Sequence, residues 1–82
     1  MPLYMDVHTK IKDLTQEKLA EDHRKDLEYE QAEGVHFKEA WADPETGTCF
    51  CLSEAPDQDA VRRVHRRAGH PANEVYPVTL HV

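Results

Sequence analysis

An α+β fold with the element order β-α-β-β-α-β is predicted by three features of this sequence. Four short segments have strand character, two longer stretches have helix-forming composition, and cap or turn residues stand at their borders.

The first segment, Leu3 to His8, places Leu3, Met5 and Val7 on one side and Tyr4, Asp6 and His8 on the other, as a strand does. We expect the apolar set to face the helices and the set containing His8 to lie on the uncovered face. From Thr15 to about Ala32 the composition is helical, with Thr15 a fair N-cap, Gln16 and Glu17 suited to the first turn, and Gly34 just past the end. Val35 to Asp43 alternates again, with Val35, Phe37 and Trp41 on one side and His36, Lys38 and Ala40 on the other. Pro44-Glu45-Thr46-Gly47 carries the turn chemistry of a hairpin. Thr48 to Glu54 supplies the second strand of that hairpin, with Phe50 and Leu52 opposite Cys49, Cys51 and Ser53. Asp57 caps a second helix that runs to Ala68 and stops at Gly69. Val75 to Val82 is the last strand, and Pro77 marks it as an edge strand or a bulge.

This order is the split βαβ arrangement of ferredoxin-like domains. Right-handed crossovers then place both helices on one face of a four-stranded antiparallel sheet of order 4-1-3-2. Residues 1–82 read as one such domain, with no repeat and no low-complexity linker. A domain this small hides only about 60–65% of its unfolded surface, and nothing remains to cover the second sheet face. A homodimer packed sheet to sheet is the expected remedy.

A net charge of −6, with 16 Asp and Glu residues, argues against a nucleic-acid or anionic-membrane surface and favours cations as partners. No apolar run approaches the roughly 20 residues of a membrane span, and the opening Met1-Pro2-Leu3-Tyr4-Met5-Asp6 lacks a signal peptide's basic start and apolar centre. We therefore expect a cytoplasmic protein, with Cys49 and Cys51 as reduced thiols. Separated only by Phe50, these two are too close for a CxxC site, share one strand face and read first as small buried residues. The basic cluster Arg62, Arg63, Arg66 and Arg67 reads as a solvated helix face paired with acids.

Histidine is the unusual feature: six residues, at 8, 23, 36, 65, 70 and 81. His23 stands between Leu19 and Leu27 at helical spacing, and His65 shares a stripe with Val61 and Ala68, so both are expected to point inward. The two helices lie side by side, so His23 and His65 can approach one another, with Asp26 and His70 near. His8, His36 and the Cys51–Glu54 segment are expected to converge at one end of the sheet, with His36 opposite about Ala55. His81 lies near the open C-terminus. Imidazole suits nickel, copper and zinc, and carboxylates complete such a sphere and neutralise its charge. No HExxH, paired CxxC, Gly-rich phosphate loop or GxSxG is present, so no catalytic signature is found.

Tyr4-Met5-Asp6-Val7-His8, His23 with Asp26, Gly34-Val35-His36-Phe37, Trp41, Cys51-Leu52-Ser53-Glu54-Ala55-Pro56, Ala60-Val61, Val64-His65 and Gly69-His70 together resemble a family of small ferredoxin-like nickel-binding, or nickel-responsive, proteins. The resemblance covers nearly the whole chain and is most specific from Phe50 to His70. It implies a dimer and Ni²⁺ as the ion, among other divalent metals that histidine also suits. Carried over by position, its motif residues are His8, His23, Asp26, Cys51, His65 and His70. His36, His81 and Glu54 join them as candidates from the residues alone.

Three function classes follow. The first is a dimeric cytoplasmic protein that sequesters or buffers nickel through histidine and carboxylate ligands, without performing chemistry. The second is a small-molecule-binding module or an enzyme of the dimeric α+β-barrel type, with a pocket lined by His23, His65 and Glu54. A deep pocket on which Cys51, His23 and His65 converge favours the second, and shallow clusters on the outer surface favour the first. The third, a regulatory partner protein, has no specific feature behind it.

Overall fold

The computed structural model describes residues 1–82. Its elements are β1 (Leu3–His8), α1 (Gln16–Glu33), β2 (His36–Asp43), β3 (Thr48–Glu54), α2 (Gln58–Arg67) and β4 (Glu74–Pro77). They form one antiparallel sheet of order β2-β3-β1-β4 with two helices, the ferredoxin-like α+β fold that the sequence predicts. No helix is long and apolar enough to cross a membrane.

The caps stand where expected. Thr15 accepts a hydrogen bond from the Lys18 amide, Asp57 accepts one from Ala60, and Gly34 closes α1 in the left-handed conformation. The hairpin turn depends on Gly47, at φ +69°, whose carbonyl accepts from the Ile11 amide at 3.0 Å. A Cβ at Gly47 would stand 2.5 Å from the Ile11 carbonyl oxygen.

Four expectations are corrected. First, β1 is turned over: Tyr4, Asp6 and His8 are buried, while Leu3, Met5 and Val7 are only partly covered. Alternation gives the period of a strand but not its facing. A polar set can face the helices when it finds hydrogen-bond partners there, and His65 of α2 supplies one to Asp6, which in turn holds His8. Second, a β-bulge between Phe37 and Glu39 shifts the β2 register, so that Trp41 pairs with Phe50 on the open face and is 45% exposed. One extra residue reverses every side chain beyond it, and Ala40, opposite Cys51, packs on the helix side instead. Third, Leu27 is exposed and Asp26 is the buried residue of α1. At about 100° per residue, Asp26 falls within about 20° of Leu19, whereas Leu27 stands about 80° away. Fourth, β4 ends at Pro77, not Val82. Pro77 pairs with Tyr4 and the Val78 amide donates to the Leu3 carbonyl, where β1 begins, so the chain beyond has no strand to pair with.

The core lies between the sheet and the helices. The helix α2 buries Ala60, Val61, Val64 and His65 in one stripe, and these meet Tyr4, Phe37, Cys49, Cys51 and Val75. The helix α1 docks largely through polar groups: Glu30 accepts from the Phe37 amide at 3.1 Å, and Glu33 accepts from Arg63 at 2.7 Å and Arg67 at 3.5 Å. The arginine cluster is thus paired in part with acid, as expected.

Candidate metal centre

Asp6 is fully buried beneath the helices. A carboxylate at such a depth requires partners, and it has two. Asp6 Oδ1 accepts from His8 Nε2 at 2.8 Å, and Asp6 Oδ2 accepts from His65 Nε2 at 2.8 Å. The second nitrogen of His65, Nδ1, donates to Asp26 Oδ1 at 2.9 Å, and the same oxygen accepts from His70 Nε2 at 2.6 Å. The result is a continuous chain, His8–Asp6–His65–Asp26–His70, built from β1, α1, α2 and the loop after α2. The three rings cluster closely in edge-on and tilted arrangements, with centroids 4.7 Å apart for His8 and His65, 5.5 Å for His65 and His70, and 5.6 Å for His8 and His70.

Electrostatics follow from this wiring. Burial alone would favour neutral His65, but its hydrogen bonds to Asp26 and Asp6 outweigh burial and raise its pKa to about 9. Burial would likewise raise both carboxyls. Hydrogen bonds from His65 and His8 hold Asp6 below the ordinary carboxylate value, and those from His65 and His70 do the same for Asp26. At neutral pH the centre is therefore an imidazolium between two carboxylates, one negative charge in excess.

Beside this chain lies a cavity of about 160 Å³ between α1 and the sheet, with His8, His23, Asp26, Cys51 and His70 in its wall. Two three- or four-donor groups converge here: Asp6, His8, Cys51 and His65, and Asp26, His65 and His70, each with ligand atoms within 4.8 Å of one another. His23 Nδ1 is buried without a hydrogen-bond partner. His8 and His70 each use one ring nitrogen on a carboxylate, which fixes the ring and leaves the other nitrogen as a potential donor.

The six residues carried over by position, His8, His23, Asp26, Cys51, His65 and His70, thus come together at one place. The three added from the residues alone do not. His36 pairs with Glu54 at the Leu3 end of the sheet, whereas His8 pairs with Cys49 at the other end, five residues or about 16 Å along β1. His36 is exposed on the open face, so the expected convergence with His8 does not occur. Glu54 binds Lys38 at 2.8 Å and lines no part of the cavity. His81 is exposed beyond β4. His23 packs toward Phe37, at 6.3 Å between ring centroids, while His65 makes its contacts with Asp6 and Asp26. The pocket expected of His23, His65 and Glu54 is met only in part, with His23 in the wall. The centre is not a shallow outer cluster either, since Asp6 and His65 are fully buried.

Sequence reasoning missed Asp6, Asp22 and Cys49. Asp6 and His8, two apart on a strand, share a face, and Asp22 precedes Asp26 by one helical turn. Those spacings were the available signal.

Fold and centre together define a class: a small ferredoxin-like domain with a buried histidine–carboxylate network beside a cavity. More specifically, the chain belongs to the family "Nickel responsive protein SCO4226-like", whose model matches residues 4–78. It is similar to SCO4226 from Streptomyces coelicolor A3(2), known from a crystal structure, at 49% identity and a TM-score of 0.94, over 98% of this chain and 99% of that one. No curated protein matches it.

Proposed function

We propose that this protein binds nickel in the cavity and serves as a cytoplasmic buffer for the ion. The observation that carries this reading is the paired anchoring of His8 and His70. Each ring is held by a buried carboxylate through one nitrogen, next to the unpartnered His23 Nδ1 on the same cavity wall. Carboxylate-held imidazole is the arrangement that orients a metal ligand and raises its basicity. His8, His23 and His70 would hold the ion, and the excess negative charge of the Asp6–His65–Asp26 unit would favour a cation. Imidazole donors admit several divalent metals, and nickel is chosen on the family's name. Both cysteines are free thiols, which accords with a reducing compartment.

The test is calorimetric titration with nickel at pH 7.5 and 5.5. Protonated imidazole does not ligate, so binding is expected at the higher pH and marked weakening at the lower. No binding at pH 7.5, or equal affinity at both, refutes the proposal. At pH 7.5, His8→Ala and His70→Ala should each weaken binding at least tenfold, roughly the minimum for a supporting group, whereas His36→Ala and His81→Ala should leave it unchanged. A small-molecule pocket has the same cavity in its favour, and failure of nickel, copper and zinc alike would give it precedence.

We further propose that the open sheet face pairs with a second copy of the chain. The β1 register brings Met5 beside Leu52 and Tyr76, and Val7 beside Phe50, which itself pairs with Trp41. Two apolar rows of three residues each, Leu52–Met5–Tyr76 and Trp41–Phe50–Val7, thus lie side by side on the face without helices, with Glu39 and Glu74 at their ends, and continuous apolar patches mark association surfaces.

A further inference from the structure

The cavity beside the histidine–carboxylate chain is larger than a single ion needs, and its wall is amphipathic. At about 160 Å³ it matches the space of about 150 Å³ that admits a benzene ring. Its apolar part lies toward β2 and the hairpin: Ile11, whose amide bonds the Gly47 carbonyl, Leu19 of α1 and Ala40 of β2, all packed on the core. Pro71 and Asn73, both exposed, also line it and open it to solvent. The polar part offers acceptors. His70 gives its Nε2 proton to Asp26, which leaves a lone pair on Nδ1 of the neutral ring, and His23 Nδ1 has no partner. Asp22 Oδ1 stands 4.0 Å from His70 Nδ1, while Lys18 approaches the other oxygen, Oδ2, at 3.4 Å. A separation of 4.0 Å is too long for a hydrogen bond between the two atoms, yet one donor nitrogen placed between them reaches both at about 2.8–3.0 Å.

We propose that the cavity is a binding site for a small protonated amine with an apolar body, an arylalkyl- or alkylammonium of about the size of benzylamine. The ammonium group donates to Asp22 Oδ1 and His70 Nδ1, and the body lies on Ile11, Leu19 and Ala40. Charge selects the sign of the head group. The Asp6–His65–Asp26 unit carries one negative charge in excess, and Lys18 balances Asp22, so a monocation neutralises the site whereas a carboxylate would add to its charge. Chemistry selects the body. A bare ion makes no use of the apolar part, and a hydrocarbon leaves the acceptors unpaired. The site shares His70 with the nickel proposal but does not rest on it.

The probe is benzylamine hydrochloride, titrated into the intact metal-free protein at pH 7.5 and followed by the methyl resonances of Ile11, Leu19 and Ala40. Saturable shifts of these methyls are expected, with nuclear Overhauser contacts to the phenyl ring. Benzyl alcohol, which has the same body without the charge, should bind at least about tenfold more weakly, the order lost with a charge-assisted hydrogen bond. Benzoate should not bind. Asp22→Asn keeps the shape of the side chain and should weaken benzylamine by a similar factor while the circular dichroism stays unchanged. Absence of saturable shifts at those methyls, benzoate binding as tightly as benzylamine, or undiminished benzylamine affinity in folded Asp22→Asn overturns the proposal. A protein that binds nickel and ignores benzylamine overturns this proposal alone, and one that binds benzylamine and ignores nickel defeats the nickel reading and leaves this one standing.

Discussion

Raising the pH should destabilise this protein through one side chain. His65 is wholly buried, with both ring nitrogens on carboxylate oxygens at 2.8 and 2.9 Å, and its pKa rises from 6.5 to about 9. A group whose pKa is higher in the folded state contributes stability that is complete below the unfolded value and is lost as pH climbs through the folded one. Here that window runs from about pH 6.5 to about pH 9. At about 1.4 kcal/mol per unit, a rise of this size corresponds to about 3 kcal/mol. A chain of this length has about 4–12 kcal/mol of stability in all, so the loss would be a large fraction of it. Urea unfolding of the metal-free protein at pH 6, 7.5 and 9 measures the effect. The midpoint should fall steadily from pH 6 to 9, and the fall should vanish in His65→Gln. The imidazole resonances of His65 should keep their charged positions until well past pH 7. A flat or rising stability over that range, or a His65 that titrates near 6.5, would refute the account of the centre as an imidazolium between two carboxylates.

Other outcomes follow from the same structure. Asp6 and Asp26 are held below the ordinary carboxylate value of 3.8, so their contribution is present above that pH and should disappear as pH falls through their lower folded values, visible as acid unfolding. Asp26→Asn, which removes one charge from the network and disturbs the partners of His65 and His70, should cost about 3–5 kcal/mol by urea unfolding, the range for breaking a buried ion pair; a loss under 1 kcal/mol, roughly a surface effect, would show the network to be incidental. Gly47→Ala adds a Cβ at 2.5 Å from the Ile11 carbonyl oxygen and at φ +69°, so it should destabilise by at least ~1 kcal/mol in thermal melts. Phe50→Glu, on the open face, should convert a dimer to a monomer in sedimentation measurements without changing the circular dichroism; a wild-type monomer at high concentration would remove the paired-sheet proposal.

Much of the fold could be read along the chain because it depends on neighbours in sequence. Thr15, Gly34, Asp57 and Gly47 act within a few residues of themselves, through caps and a turn, and each stands where the element order needs it. The family pattern likewise brought forward the six residues that do meet. What could not be read is which side of a strand faces in. Leu3, Met5 and Val7 look like a core face, yet the buried set is Tyr4, Asp6 and His8. The burial of Asp6 is favourable only because His65, 59 residues away, and His8 each bring a ring nitrogen to its carboxylate. The bulge after Phe37 has the same character, since one extra residue moved Trp41 from the expected core to the open face.

The sequence by itself therefore determined the elements, their order and the chemical types assembled, because caps, turns and periodicity are local. Tertiary structure alone decided that Asp6 joins His8, His65, Asp26 and His70 into one charged chain, and that His36, His81 and Glu54 stand apart. The physical reason is that a buried charge is tolerated only where distant elements bring compensating partners to it, and spacing along a chain does not carry that information.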